Sequence, residues 1–235
     1  MEFEGYICGG YFVAKIARSY RKSEFLPSAI VTVSNCVTET LPDQWAIDWI
    51  SATQEQRKEA AFKCGIDASD LKHFIMWTTE RVNREEIEIN NVIFSKTAAE
   101  DLLSTFVFDR TDWRLLALGL RKENLEEFLS SLEPTYQGPR TFGVHDAICR
   151  REAPDSAGEI IGYDVLGMNG YNEFHSWLCN LLEERVAAEL GIRPDANGLL
   201  ATYPEAKACV EYIHRPTTGA EPVAWFPWAV ISYPI

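Results

Sequence analysis

Short apolar or β-branched runs alternate with stretches of helical period along the whole chain, and this alternation most limits what it can fold into. Residues 29–34, 92–94, 113–120, 159–166 and 222–235 read as strands, rich in Val, Ile, Leu and aromatic side chains. Residues 51–63, 70–81, 121–132, 171–190 and 204–213 read as helices. Thr97-Ala98-Ala99-Glu100 matches a capping box and opens another helix running through Leu103. The longest helical pattern is 171–190, where Phe174, Trp177, Leu178, Leu181 and Leu182 share a face and Gly191 supplies a C-terminal cap. Pro204 suits a first helical position. Pro227 predicts that the last strand is broken or confined to a sheet edge. Residues 2–8 fit an edge strand punctuated by Gly9-Gly10. Strands interleaved with helices in both halves predict an α/β or α+β fold with one central mixed β-sheet flanked by helices.

Residues 133–157 change character. Pro134, Gly138, Pro139, Gly143 and Pro154 crowd this stretch, which reads as a linker or a long functional loop. The chain is therefore expected to be a single domain, or two sub-lobes, 1–133 and 158–235, joined by 134–157. With 235 residues, 46% of them hydrophobic, it can bury a core without a disulfide or metal staple. Its cysteines (Cys8, Cys36, Cys64, Cys149, Cys179, Cys209) are evenly spread with no CxxC pair, as expected for buried, reduced thiols. No apolar run approaches the ~18 residues of a membrane span. The first residues lack the basic and apolar regions of a signal peptide, so a cytoplasmic location is expected.

Charge is distributed unevenly. Asp and Glu number 35 against 22 Lys and Arg, a net charge of −13. Residues 155–211 hold ten acids and three bases, −7 of that total, inside a stretch patterned to fold. Such a balance disfavours nucleic acid and anionic membranes as ligands and favours a cationic partner.

No sequence motif announces a cofactor, a metal or a catalytic centre. His175 and Cys179, spaced i and i+4, fall on one face if 171–190 is helical, which suits core packing first and a Cys/His pair second. A zinc site needs further ligands that no spacing supplies. His145, Asp146 and Cys149 lie in the Gly/Pro-rich segment, where loops often carry chemistry. Gly167-Met168-Asn169-Gly170 lacks the spacing of a dinucleotide or phosphate loop.

The segments 159–166, 174–180 (Phe-His-Ser-Trp-Leu-Cys-Asn) and 197–200 (Asn-Gly-Leu-Leu) resemble bacterial immunity proteins, which neutralise secreted toxins. The resemblance covers roughly the last 80 residues. It implies a non-enzymatic protein, without cofactor, that binds a basic nuclease-type toxin domain. On that reading Asp164, Glu173, Glu183 and Glu184 meet toxin Lys and Arg, with Trp225 and Trp228 as aromatic anchors. The alternative is a hydrolase or transferase whose site gathers His145, Asp146, His175 and Cys179. A third possibility, an adaptor subunit, requires an exposed apolar patch near 222–235.

Overall fold

The computed structural model describes residues 3–41, 53–63, 65–67, 69–87, 92–131, 143–168 and 174–235. Its strands are β1 (Tyr6–Lys15), β2 (Ala17–Arg18), β3 (Ala29–Ile30), β4 (Thr40–Leu41), β5 (Trp113–Arg121), β6 (Glu159–Met168), β7 (Phe174–Ser176) and β8 (Ala224–Tyr233). Its helices are α1 (Gln54–Lys63), α2 (Leu71–Asn83), α3 (Lys96–Phe106), α4 (Leu125–Ser131), α5 (Gly143–Arg150), α6 (Glu183–Leu190) and α7 (Tyr203–Ile213). Six strands form one sheet in the order β4-β1-β5-β8-β6-β7, and β2 pairs with β3 apart from it. Every pairing in the sheet is antiparallel, so the fold is α+β and the mixed pairing expected from sequence does not occur. β5 pairs directly with β8, which joins the segments before and after 134–157 in one sheet.

Helices cover both faces of the sheet because each strand is apolar on both sides. On one face Tyr11, Val13, Leu115, Ala117 and Ile231 pack with Phe74, Leu102 and Phe106 of α2 and α3. On the other, Phe12, Leu116, Leu118, Trp228 and Val230 pack with Phe128 of α4 and with Val144 and Ile148 of α5. A third cluster sits at the β6 end, where Val165 and Trp225 meet Trp177, Val186, Cys209 and Tyr212. α7 opens with a capping box in which the Thr202 hydroxyl accepts from the Glu205 amide and Glu205 accepts from the Thr202 amide, with Pro204 in the first turn. No helix among the described residues is long and apolar enough to cross a membrane.

The largest departure from the sequence pattern is at 171–190. Residues 169–173 lie outside the described residues. From Phe174 the chain runs through β7 and a 3-10 turn (Trp177–Asn180) and only then enters α6. The Ser176 hydroxyl accepts from the Leu178 amide and starts the turn. Leu181 then takes a left-handed conformation at φ 57° and stands 61% exposed, which separates the turn from α6. The helical spacing arose although the side chains go to different places: Phe174 packs with Phe12 and Trp228, and Trp177, Leu178 and Leu182 pack in the cluster at the β6 end. α3 also begins earlier than expected, with Ser95 as its N-cap in place of Thr97. In the Gly/Pro-rich stretch, 143–150 is helical and 132–142 lies outside the described residues. Residues 92–94 contribute only bridges at Ile93.

β8 lies inside the sheet between β5 and β6 despite Pro227. Pairing with β5 ends at Trp228, so Pro227 is flanked by β6 alone, opposite Val165. Gly9 and Gly10 lie within β1, at an irregularity in its register with β5 between Cys8 and Tyr11. Gly10 has φ 112°, and a Cβ there would stand 2.5 Å from Val92 Cγ1, a fully buried atom with nowhere to retreat. Gly10→Ala is therefore expected to lower stability by about 2–3 kcal/mol. Urea denaturation of the two proteins measures it.

Candidate functional site

Among the described residues, one grouping of reactive side chains is drawn from distant parts of the chain, and it is built around Cys36. The Val37 and Thr38 amides both donate to the Ser34 carbonyl, at 3.0 and 3.1 Å, and fold 34–38 into a tight turn. Ser34 is fully buried and fastens this turn to β7: its hydroxyl donates to the Phe174 carbonyl at 2.8 Å and accepts from the Ser176 amide at 3.1 Å. That stitch sets Cys36 beside His175, with Sγ 3.7 Å from Nδ1. The same Nδ1 lies 2.8 Å from Glu221 Oε2. Glu221 is itself held by its amide, which donates to Asn180 Oδ1, and by its carbonyl, which accepts from the Trp225 indole.

Cys179 completes the group. Its thiol hydrogen-bonds Cys36, lies 3.9 Å from the Ser34 hydroxyl and meets the Tyr20 hydroxyl. Cys36 is exposed while Cys179 is half-buried. The hydrogen bond from Cys179 is the main force holding the Cys36 thiol down, to about 6, opposed by partial burial and helped by the neighbouring His175. The same bond, with burial, pushes Cys179 upward. The two thiols are thus pushed in opposite directions, Cys36 down and Cys179 up, which favours thiolate character at Cys36. Cys36 opens onto a groove of about 470 Å³ that Lys15, Arg18, Tyr20, Asn35 and Thr38 help to line. Among the described residues no group of three or more His, Cys, Asp or Glu is placed to hold a metal ion.

The four residues expected to form a hydrolase or transferase site fall into two groupings instead of one. His175 and Cys179 come together through Cys36. His145 and Asp146 lie on α5, where His145 Nδ1 stands 3.7 Å from Cys149 Sγ and 3.7 Å from Asp146 Oδ1. Burial and the neighbouring Asp146 carboxylate push the thiol of exposed Cys149 up.

The residues expected at a partner interface are mostly interior. Asp164 is 2% exposed, on a strand covered from both sides, and its Oδ2 accepts the Thr32 hydroxyl at 2.7 Å. Glu183 is 3% exposed and pairs with Arg21. Trp225 and Trp228 are core residues, as is most of 222–235, so that segment offers no apolar patch. Glu173 lies outside the described residues, and Glu184 alone of the named acids is exposed on a described element. Asp164, Trp225 and Trp228 are interior because β6 and β8 lie within the sheet, and Glu183 because the start of α6 is covered by Arg21 and Ser23. Cys36, Glu221 and Ser34 went unnoticed in the sequence because only the packing of the 34–38 turn on β7 unites them. The cysteines expected to be buried divide likewise: Cys8 and Cys209 are buried, but Cys36 and Cys149 are exposed.

No protein-family model, curated protein or solved structure matches the chain.

Proposed function

We propose that the protein is an acidic binding protein whose partner is a basic, nuclease-type toxin domain, neutralised by direct contact. One observation supports this reading. Of the acids between 155 and 211, most are tied into the fold: Asp164 by Thr32, Glu183 by Arg21, Glu189 by Tyr212 and Arg215, Asp195 by the Asn197 and Leu199 amides, Glu205 by its cap, and Asp155 by the Ala157 amide and Lys96. Glu159, Glu184 and Glu211 stand exposed with no side-chain partner among the described residues. Of the nearby bases, Arg185 donates to the Thr217 and Thr218 carbonyls and Arg215 pairs with Glu189, while Lys207 stands exposed one turn before Glu211 on α7. Glu184 on α6 and Glu211 on α7 lie on helices that pack against each other, so negative charge is displayed there, offset in part by Lys207.

Exposed like charges of this kind steer a cationic partner and discriminate among partners. Asp164 and Glu183 are withdrawn from the acidic surface, and Glu184 and Glu211 are the exposed helical acids on which we place the contact. The test is association kinetics with the basic toxin domain encoded beside this chain. The association rate is expected to fall steeply as salt rises, and E184Q/E211Q is expected to slow it about threefold with stability unchanged. A rate indifferent to salt and to both substitutions overturns the proposal.

A further inference from the structure

Cys36 and Cys179 reach each other from distant segments, and their arrangement carries chemistry independent of any protein partner. Cys36 is exposed at the edge of a groove, hydrogen-bonded to a second thiol and set 3.7 Å from an imidazole that a carboxylate holds. Cys179 is half-buried behind it, against Ser34 and Tyr20. An accessible thiol in contact with a shielded second thiol is the arrangement needed for oxidation followed by resolution. We propose that Cys36 and Cys179 form a hydroperoxide-reactive dithiol, Cys36 being oxidised first and Cys179 closing an intramolecular disulfide.

The chemistry balances with a hydroperoxide as the oxidant. The Cys36 thiolate donates an electron pair to the distal peroxide oxygen; the S–O bond forms as the O–O bond breaks. The leaving oxygen takes a proton, from His175 or from solvent, and departs as an alcohol, or as water when the oxidant is hydrogen peroxide. Sulfur is oxidised by two electrons to the sulfenic acid and the peroxide is reduced by two. The Cys179 thiol then loses its proton and attacks the Cys36 sulfur. The S–S bond forms, the S–O bond breaks, and hydroxide leaves with that proton as water. His175 faces the reacting sulfur throughout, and Glu221 fixes the position of its ring. The downward push on the Cys36 thiol favours the first step, and the exposure of Cys36 with Cys179 set behind it gives the peroxide access to Cys36 first.

Cys149 is an internal control. It too is exposed and lies 3.7 Å from a histidine nitrogen, but no second thiol accompanies it among the described residues and its thiol is pushed up. In the unmodified full chain at pH 7, iodoacetamide is expected to label Cys36 about tenfold faster than Cys149, the gain in thiolate fraction being partly offset by lower intrinsic nucleophilicity. Brief treatment with hydrogen peroxide should then remove the mass of two hydrogens. Peptide mapping should link Cys36 to Cys179, and dithiothreitol should reverse the link. C179S should trap the intermediate as a dimedone adduct on Cys36, and C36S should leave Cys179 free and reduced. Equal labelling of Cys36 and Cys149, or peroxide oxidation that leaves Cys36 and Cys179 unlinked in the unmodified chain, overturns the proposal without reliance on any variant's folding.

Discussion

Arg21→Ala is expected to destabilise the fold by about 3 kcal/mol, and Glu183→Gln by clearly less, about 1–2 kcal/mol. The asymmetry comes from where the two charges sit. Glu183 is 3% exposed and Arg21 has a quarter of its side chain in solvent. Their ion pair spans 2.5 Å, and Arg21 also donates to the Leu178 carbonyl at 3.1 Å. With Arg21 gone, Glu183 keeps only the Ser23 hydroxyl at 3.3 Å and leaves a carboxylate buried with little compensation. With Glu183 neutralised, Arg21 can still turn toward water. The helix dipole at the start of α6 recovers part of the cost for Glu183, which is why the upper end of the range for broken buried pairs is not expected. The double variant R21A/E183Q should cost less than the sum of the two, because each single change already removes the pair. Chemical denaturation of all four proteins gives the coupling. A loss below about 1 kcal/mol for Arg21→Ala, or equal losses for both singles, contradicts a structural role for the pair. Because the pair is largely shielded, its contribution should change little with salt, in contrast to association driven by Glu184 and Glu211.

Glu183 and Asp164 also show what the sequence reveals and what it hides. Elements set by local periodicity and local caps are legible. α2 emerges from its apolar face, α7 from Thr202, Pro204 and Glu205, and β5 from an unbroken apolar run. α1 ends as expected, with Gly65 at φ 70° just past it. Position within the sheet is not legible. β8 reads as an edge because of Pro227, yet it is interior because the β5 ladder ends one residue away. Gly9-Gly10 reads as the end of a strand, yet close approach by Trp228 and Val92 is what demands glycine there. The acidic stretch 155–211 reads as one face, yet Asp164 and Glu183 are interior, by strand and helix orientation that no local pattern encodes. The thiol grouping is hidden for the same reason. His175 and Cys179 stand out by spacing, but the spacing suggested a helix that does not form. Their true partners, Cys36 and Glu221, depend on a turn and a strand far apart in the chain.

Asp164 carries a pH effect of its own. It sits on β6 in the sheet interior, where Thr32 supplies its one well-formed hydrogen bond. Burial raises its carboxyl to about 7, with the Thr32 and Ser176 hydroxyls and the Val165 amide offsetting only part of the shift. In the unfolded chain the same group titrates at about 3.9. Between those values the native state holds a proton that the unfolded state has lost, so stability falls as pH rises through this window and levels off above the folded value. The loss from this single group amounts to about 2–4 kcal/mol between pH 4 and pH 8. Asp164→Asn removes the titrating proton while keeping an oxygen for the Thr32 hydroxyl. Its amide nitrogen still needs an acceptor, a cost that is the same at every pH. The difference in stability between Asp164→Asn and the unmodified chain should therefore grow in favour of asparagine from pH 4 to pH 8, whatever its value at the acidic end. Urea denaturation across that range reads the slope. A difference that stays flat across the window contradicts a buried carboxyl that changes ionisation in the folded state. A rising difference places a neutral Asp164 within the sheet below pH 7 and removes it from the charge available to a basic partner.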